Sequence, residues 1–171
     1  MKQYKYLYRK MLDEEIIRKA YKNLRKHKTK RKEIIYIDAH LDEEVQKMRI
    51  MILNTKPEGI KVPNPELRYI PLERKPKIIY EHGKERKIYM PEMHEQWLHH
   101  IIILILAPII MATSYEFSCG SFPGRGAHYG KRQIERWLRK DTKGMKYFLK
   151  IDIRHFYNNI RVDILFKELK T

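Results

Sequence analysis

Lys146-Tyr147-Phe148-Leu149-Lys150-Ile151-Asp152-Ile153-Arg154-His155-Phe156-Tyr157-Asn158-Asn159-Ile160 is the stretch on which the reading of this chain turns. Tyr147, Leu149, Ile151 and Ile153 alternate with Phe148, Lys150 and Asp152, the period of a strand with one buried face. The pattern predicts a strand from Tyr147 to Ile153 with one acid, Asp152, near its end. Two aromatics, Phe156 and Tyr157, follow, and then an Asn-Asn turn signal. A carboxylate at the end of an apolar strand is suited to a hard cation, because the strand fixes it while the loop side stays open. The same residue there also serves as a cap or a solvated group, so the acid alone does not specify chemistry.

Charge narrows the classes. The 171 residues are enough for one domain or for a piece of a larger one. Lys and Arg number 37 against 21 Asp and Glu, a formal net charge of +16. That excess predicts a polyanionic partner, nucleic acid before a membrane surface, bound with salt-sensitive affinity. The plainer reading is a protein kept soluble by its charge. A single cysteine, Cys119, excludes an internal disulfide and a Cys-based zinc cluster and suits a reducing cytoplasm. The eight histidines form no His-Glu-x-x-His pair, and no metal site is expected from them. No signal peptide is read at the N-terminus. The apolar run from Ile101 to Ala112 is short for a bilayer and contains Pro108, so it reads as a buried helix, with no membrane partner expected.

Along the chain, residues 1–32 are basic with a helical stripe of Leu7, Met11, Ile16, Ile17, Ala20 and Leu24. Lys22 to Lys32 is nearly all charged or polar, either a solvated face or a contact to an RNA backbone. Ile34 to Ile37 is a short buried strand or the lead-in to the next helix. That helix runs from Asp42 to Leu53 with Val45, Met48, Ile52 and Leu53 at helical spacing, and Lys56-Pro57-Glu58-Gly59 breaks it. Prolines at 63, 65, 71 and 76 then predict an extended connection. Residues 77–80 and 86–90 flank a Gly-containing loop and read as a β-hairpin. Pro91 and Glu92 start a long helix through Trp97. The loop Gly120 to Gly126 leads to a helix from Ala127 to about Lys140, with Ala127, Ile134, Trp137 and Leu138 inward and Lys131, Arg132, Arg136 and Arg139 mostly outward. Val162, Leu165, Phe166 and Leu169 mark a last amphipathic helix. The whole is an α+β pattern. A Walker phosphate loop ending at Gly130-Lys131 fails on spacing, because Arg125 and Arg132 stand where Gly and Ser or Thr are required.

Three segments carry a resemblance, in one order. Tyr147, Asp152-Ile153, Phe156-Tyr157 and Ile160 resemble the first catalytic-aspartate motif of reverse transcriptases, closest to the bacterial ones of group II introns, retrons and diversity-generating retroelements. The basic hairpin with Arg86 five residues before Pro91 resembles the Arg-x-x-x-x-Pro finger motif of that family. Gly120-Ser121-Phe122-Pro123-Gly124-Arg125-Gly126-Ala127-His128 is similar to its Gly-x-x-Pro-Gly-Arg-x-x-His segment. Phe122 stands where the family commonly has an arginine, which leaves Arg125 as the matched basic residue.

The likeness covers roughly residues 76 to 171 and implies an incomplete right-hand polymerase. Residues 1–75 would be a basic, mainly helical N-terminal extension, 76–146 the fingers and helices leading into the palm, and 147–171 the start of the palm. Implied roles are Mg²⁺ ligation by Asp152 and the Ile153 carbonyl, with two ions in the complete enzyme. Arg86 would hold the triphosphate, a role a guanidinium fork fits. Tyr157 would exclude a ribose 2′-hydroxyl, and Arg125, Lys131 and Arg132 would meet template or primer. The implied partners are an RNA template, a DNA or RNA primer and dNTPs. The family's second acidic motif, Tyr-x-Asp-Asp, is not among these 171 residues, and Asp163 on the next helix is no substitute. The chain is therefore expected to be an RNA-directed DNA polymerase fragment, inactive alone. The alternatives are a noncatalytic, maturase-like RNA-binding module and a related antiphage defence protein.

Overall fold

Asp13 sets the start of the principal N-terminal helix: its carboxylate accepts a hydrogen bond from the Glu15 amide at 2.9 Å and caps one of the free N–H groups there. In this computed structural model, residues 4–56, 60–71 and 73–170 are described, with the side chains of 158 and 168–170 outside the description. The chain divides into two units, Met1–Ser114 and Tyr115–Thr171. Mixed α and β structure is observed: seven α-helices and one two-stranded sheet among the described residues.

In the first unit, α1 spans Leu7–Met11 and α2 spans Glu14–Arg25. Ile17, Ala20, Tyr21 and Leu24 recur at one face of α2 and are buried. Acids in its first turn and Lys22 and Arg25 in its last suit the helix dipole. The ambiguous segment at Ile34 is helical: α3 spans Lys32–Ala39, with Ile34 and Ile37 buried one turn apart. Helix α4, Leu41–Asn54, buries Val45, Met48 and Ile52. The predicted break after it falls partly on residues 57–59, outside the described residues. The connection from 60 onward is irregular as expected, but tied down: Asn54 Oδ1 accepts from the Asn64 amide and Thr55 Oγ1 from the Tyr69 amide.

The hairpin forms with strands β1, Lys77–Glu81, and β2, Lys84–Ile88, in antiparallel register Ile79↔Arg86. Its turn is tighter than the sequence suggests. His82 and Gly83 both have positive φ, the requirement of a two-residue type I′ turn. Helix α5 spans Met93–Thr113, starting two residues after Pro91. It buries one stripe, Met93, Trp97, Leu98, Ile101 and Ile105, against α2 and its neighbours. The expectation of a wholly buried helix is corrected by Ile103 and Ile110, the latter 50% exposed. Pro108 lies inside the helix without ending it. By length and composition this is the one helix among the described residues apolar enough to cross a membrane, a test that core helices also pass. Trp97 joins it to α2, donating from Nε1 to the Ile17 carbonyl at 2.8 Å.

In the second unit, α6 spans Ala127–Lys140 and α7 spans Val162–Lys170. The inward face of α6 is Tyr129, Gly130, Gln133 and Trp137, not Ala127, Ile134 and Leu138, which are exposed. Phe117 packs edge-on to Trp137 at 4.7 Å, and Cys119 lies so close to Gly130 that a Cβ there would meet its Sγ at 3.0 Å. These contacts turn the helix away from its most apolar edge. The predicted strand from Tyr147 to Ile153 is absent. No ladder forms at 145–153, and Tyr147 is 94% and Leu149 84% exposed. A strand needs a neighbour to take its N–H and C=O groups, and the sheet in the described residues is confined to β1 and β2.

Candidate functional site

The residues picked out by sequence fall in both units, and each group is local. Asp152 stands exposed in the unpaired segment, without an ion pair among the described residues. A turn follows it, closed by Asn159, whose Nδ2 donates to the Arg154 carbonyl at 3.0 Å and whose amide donates to His155 and Phe156 carbonyls. That turn brings Tyr157 edge-on to Phe156 at 5.3 Å, yet Tyr157 remains 85% exposed. Phe156 is itself half exposed. Ile153 is exposed beside Asp152.

Arg125 closes a turn through its amide to the Phe122 carbonyl, and its guanidinium lies over the Phe122 ring at 5.8 Å. The residue that departs from the resemblance thus carries the residue that matches it, by a cation–π contact. Arg125 Nη1 is buried without a hydrogen-bond partner among the described residues. Lys131 is on the exposed face of α6 and reaches Glu135 at 3.7 Å; Arg132, next to it, is exposed. In the first unit Arg86 projects from β2 and pairs diagonally across the hairpin with Glu81 at 2.9 Å, both half exposed.

Metal ligation by this set fails a chemical test. A hard divalent cation takes several oxygen ligands, and a two-ion site needs more than one carboxylate. Asp152 offers one, and no group of three His, Cys, Asp or Glu is assembled among the described residues. Two Mg²⁺ ions therefore do not fit these residues alone.

The first unit holds a site that the sequence reading missed. Glu44 sits on the inward face of α4 with its side chain 3% exposed, between Lys47 Nζ at 2.7 Å and His94 Nε2 at 2.6 Å. Burial opposes its ionisation, but the Lys47 and His94 hydrogen bonds prevail and hold its carboxyl below the usual range. The next residue of α5, Glu95, accepts from the Tyr69 hydroxyl at 2.6 Å and pairs with Arg74 at 2.7 Å. The Tyr69 hydrogen bond and the Arg74 charge hold Glu95 low against the cost of burial, and the Tyr69 phenol is pushed up to about 12. Arg74 also donates to the Met90 carbonyl at 2.6 Å, fixing the chain ahead of α5. The signal for Glu44 was its spacing: it precedes Met48 by four residues and Met51 by seven, so it shares their face. Its partners come from segments remote in sequence, which periodicity does not show.

Two cavities open beside this pair, of about 500 Å³ and about 700 Å³. Tyr36 and His94 line both. A third, of about 210 Å³, is lined by His27, Lys28, Thr29, Lys30 and Arg31, and Arg31 also lines the largest.

No protein-family model matches the chain, and no curated protein or solved structure matches it.

Proposed function

We propose that this chain carries the fingers and the opening of the palm of an RNA-directed DNA polymerase, a protein that engages an RNA template, a primer strand and dNTPs. The observation that carries the reading is the ordered set Arg86/Pro91, Pro123-Gly124-Arg125/His128 and Asp152/Phe156-Tyr157 in one chain. Two local features support it. A hairpin presents Arg86 outside any core, and Asp152 is solvent-facing and free of a cation partner among the described residues. In this reading Arg86 would exchange Glu81 for triphosphate oxygens, a better bidentate partner. Tyr157 would set a flat ring beneath the sugar. Arg125, Lys131 and Arg132 would meet the phosphates of template or primer. Mg²⁺ would supply electrostatic stabilisation of the transferring phosphoryl group in a site with further carboxylates, and no chemical step is assigned to these 171 residues alone.

Primer extension on an RNA template with Mg²⁺ and dNTPs tests the reading. The assay compares this chain, a longer product of the same locus that includes a Tyr-x-Asp-Asp segment, and Asp152→Asn in each. Extension by the longer product, abolished by Asp152→Asn, is expected. Extension that survives Asp152→Asn would remove the palm assignment.

A noncatalytic RNA-binding role is the second reading, favoured by the lone carboxylate beside a net charge of +16. It predicts salt-sensitive RNA binding with no extension from any of these proteins.

A further inference from the structure

We propose that the first unit binds a single strand of nucleic acid, with a phosphate in the basic cavity at residues 27–31 and a neighbouring base on the face of Tyr36. The site is distinct from Arg125, Lys131 and Arg132, and it does not depend on the polymerase reading.

The geometry begins at the loop between α2 and α3. His27 takes a positive φ, and the Lys28 amide donates to the Arg25 carbonyl and the Arg31 amide to the Lys28 carbonyl, folding the loop around a cavity of about 210 Å³. Lys28, Lys30 and Arg31 line it and no carboxylate does. Lys28 is tethered at its Nζ by Gln96 Oε1 at 2.8 Å, a neutral partner that leaves its charge uncompensated. Burial, and then the charge of Arg31, lower the Lys28 pKa, the signature of cations gathered without an anion. Lys30, Arg31 and Lys32 are exposed and make no ion pair among the described residues. A phosphodiester oxygen supplies the missing charge.

The next groups lie along α3. Lys32 and Tyr36 are four residues apart, so they share a face about one 5.4 Å turn apart. Tyr36 is 49% exposed, and one face of its ring is stacked on His40 at 4.5 Å. Its position lining both larger cavities leaves a supported aromatic surface beside space of about 700 Å³ and about 500 Å³. Arg68, also without an ion pair among the described residues, stands at the smaller of these. Glu33 and Glu66 line the larger and smaller cavities respectively, so phosphate recognition belongs to the all-basic loop and the cavities suit a base rather than a backbone. Bases of a single strand can splay out and stack, whereas those of a duplex are already stacked on each other.

Fluorescence anisotropy with two labelled oligonucleotides of about 12 nucleotides tests both halves, one of mixed sequence and one with the same backbone lacking bases. No primer, dNTP or Mg²⁺ is present. Tyr36→Ala is expected to weaken the base-bearing strand about fivefold or more and to leave the abasic strand unchanged, with Tyr36→Phe at the parent value. Equal effects on the two strands, or none, would overturn the base platform. Tyr36→Leu, which fills the same space without a π face, gives the same readout should the alanine variant melt early by circular dichroism. Substituting Lys30, Arg31 and Lys32 together by Ser is expected to weaken both strands alike and reduce the salt slope by about 2. An unchanged slope would overturn the phosphate site.

Discussion

The two units are built from similarly apolar segments and treat them in opposite ways. Between Ile17 and Ile105 the apolar residues of four helices meet in one core: Ile17, Ile34, Ile37, Val45, Trp97 and Ile101 are fully buried. Between Tyr147 and Phe166 the apolar residues are as dense, yet Phe148, Leu149, Ile151, Ile164 and Phe166 all face outward. A period in a sequence says which residues would be buried together; burial itself requires a second surface. Helices α2, α4 and α5 supply that surface to one another, and no strand is set beside Tyr147–Ile153 among the described residues.

The largest test of this contrast is a pair of truncations. Trp97→Ala removes the central ring and its bond to the Ile17 carbonyl, and should lower stability in urea by about 3–5 kcal/mol. Leu149→Ala should change it by no more than about 0.5 kcal/mol, because the leucine is exposed already. A comparable loss at both positions would mean that the second unit has a core of its own.

Next in size is Glu44→Gln. It keeps the shape but removes the charge that Lys47 and His94 share, and should cost about 1–3 kcal/mol in the same measurement. Little effect would show that the buried acid is already neutral and that the network adds nothing to the first unit.

Acid should separate the units more gently. Glu44, Glu95 and Asp38 are all held below their ordinary values; for Asp38, burial works against this, while the Tyr21 hydroxyl and the Arg25 guanidinium prevail. Groups with depressed folded values stabilise the native state above their unfolded values, ordinarily 4.5 for Glu and 3.8 for Asp. That contribution is lost as pH falls through the lower folded values. With Trp137→Phe leaving Trp97 as the sole tryptophan, its fluorescence should report a first unit stable at pH 6 and progressively weakened below about pH 4.5. A flat urea midpoint from pH 6 to 3 would contradict these pairings.

The smallest effect concerns association rather than stability. Exposed alternating apolar residues invite intermolecular pairing. Leu149→Asp with Ile151→Asp should reduce concentration-dependent light scattering of the chain while leaving its thermal midpoint within about 2 °C. A large fall in the midpoint would place the segment in a packed environment.

Much of the local structure was legible. The helix from Ala127 to Lys140, the long helix after Pro91, the hairpin and the final helix from Val162 lie where composition and spacing put them. At Tyr147–Ile153 alternation is not sufficient for a strand, because no partner strand stands beside it among the described residues. Helix α6 is rotated from the face its apolar spacing predicts, because Cys119 against Gly130 and Phe117 against Trp137 outweigh the exposed Ile134 and Leu138. The Glu44–His94 pair was invisible because its partners are 50 residues apart. Of the residues proposed for catalysis or binding, Asp152 and Tyr157 are near neighbours in sequence and lie on one turn-bearing segment, while Arg86 belongs to the other unit.

The sequence by itself determined most of the helices, the existence of the hairpin and the positive charge, since helix hydrogen bonds, turn propensities and ionisable side chains are properties of a few adjacent residues. The tertiary structure alone decided which stripe of α5 and α6 is covered, that Ile34–Ile37 joins a helix, that the buried Glu44 meets the half-exposed His94, and that Tyr147–Ile153 stays unpaired. Those outcomes depend on contacts between distant segments, where a strand finds half of its hydrogen bonds and an apolar face finds the surface that excludes water from it.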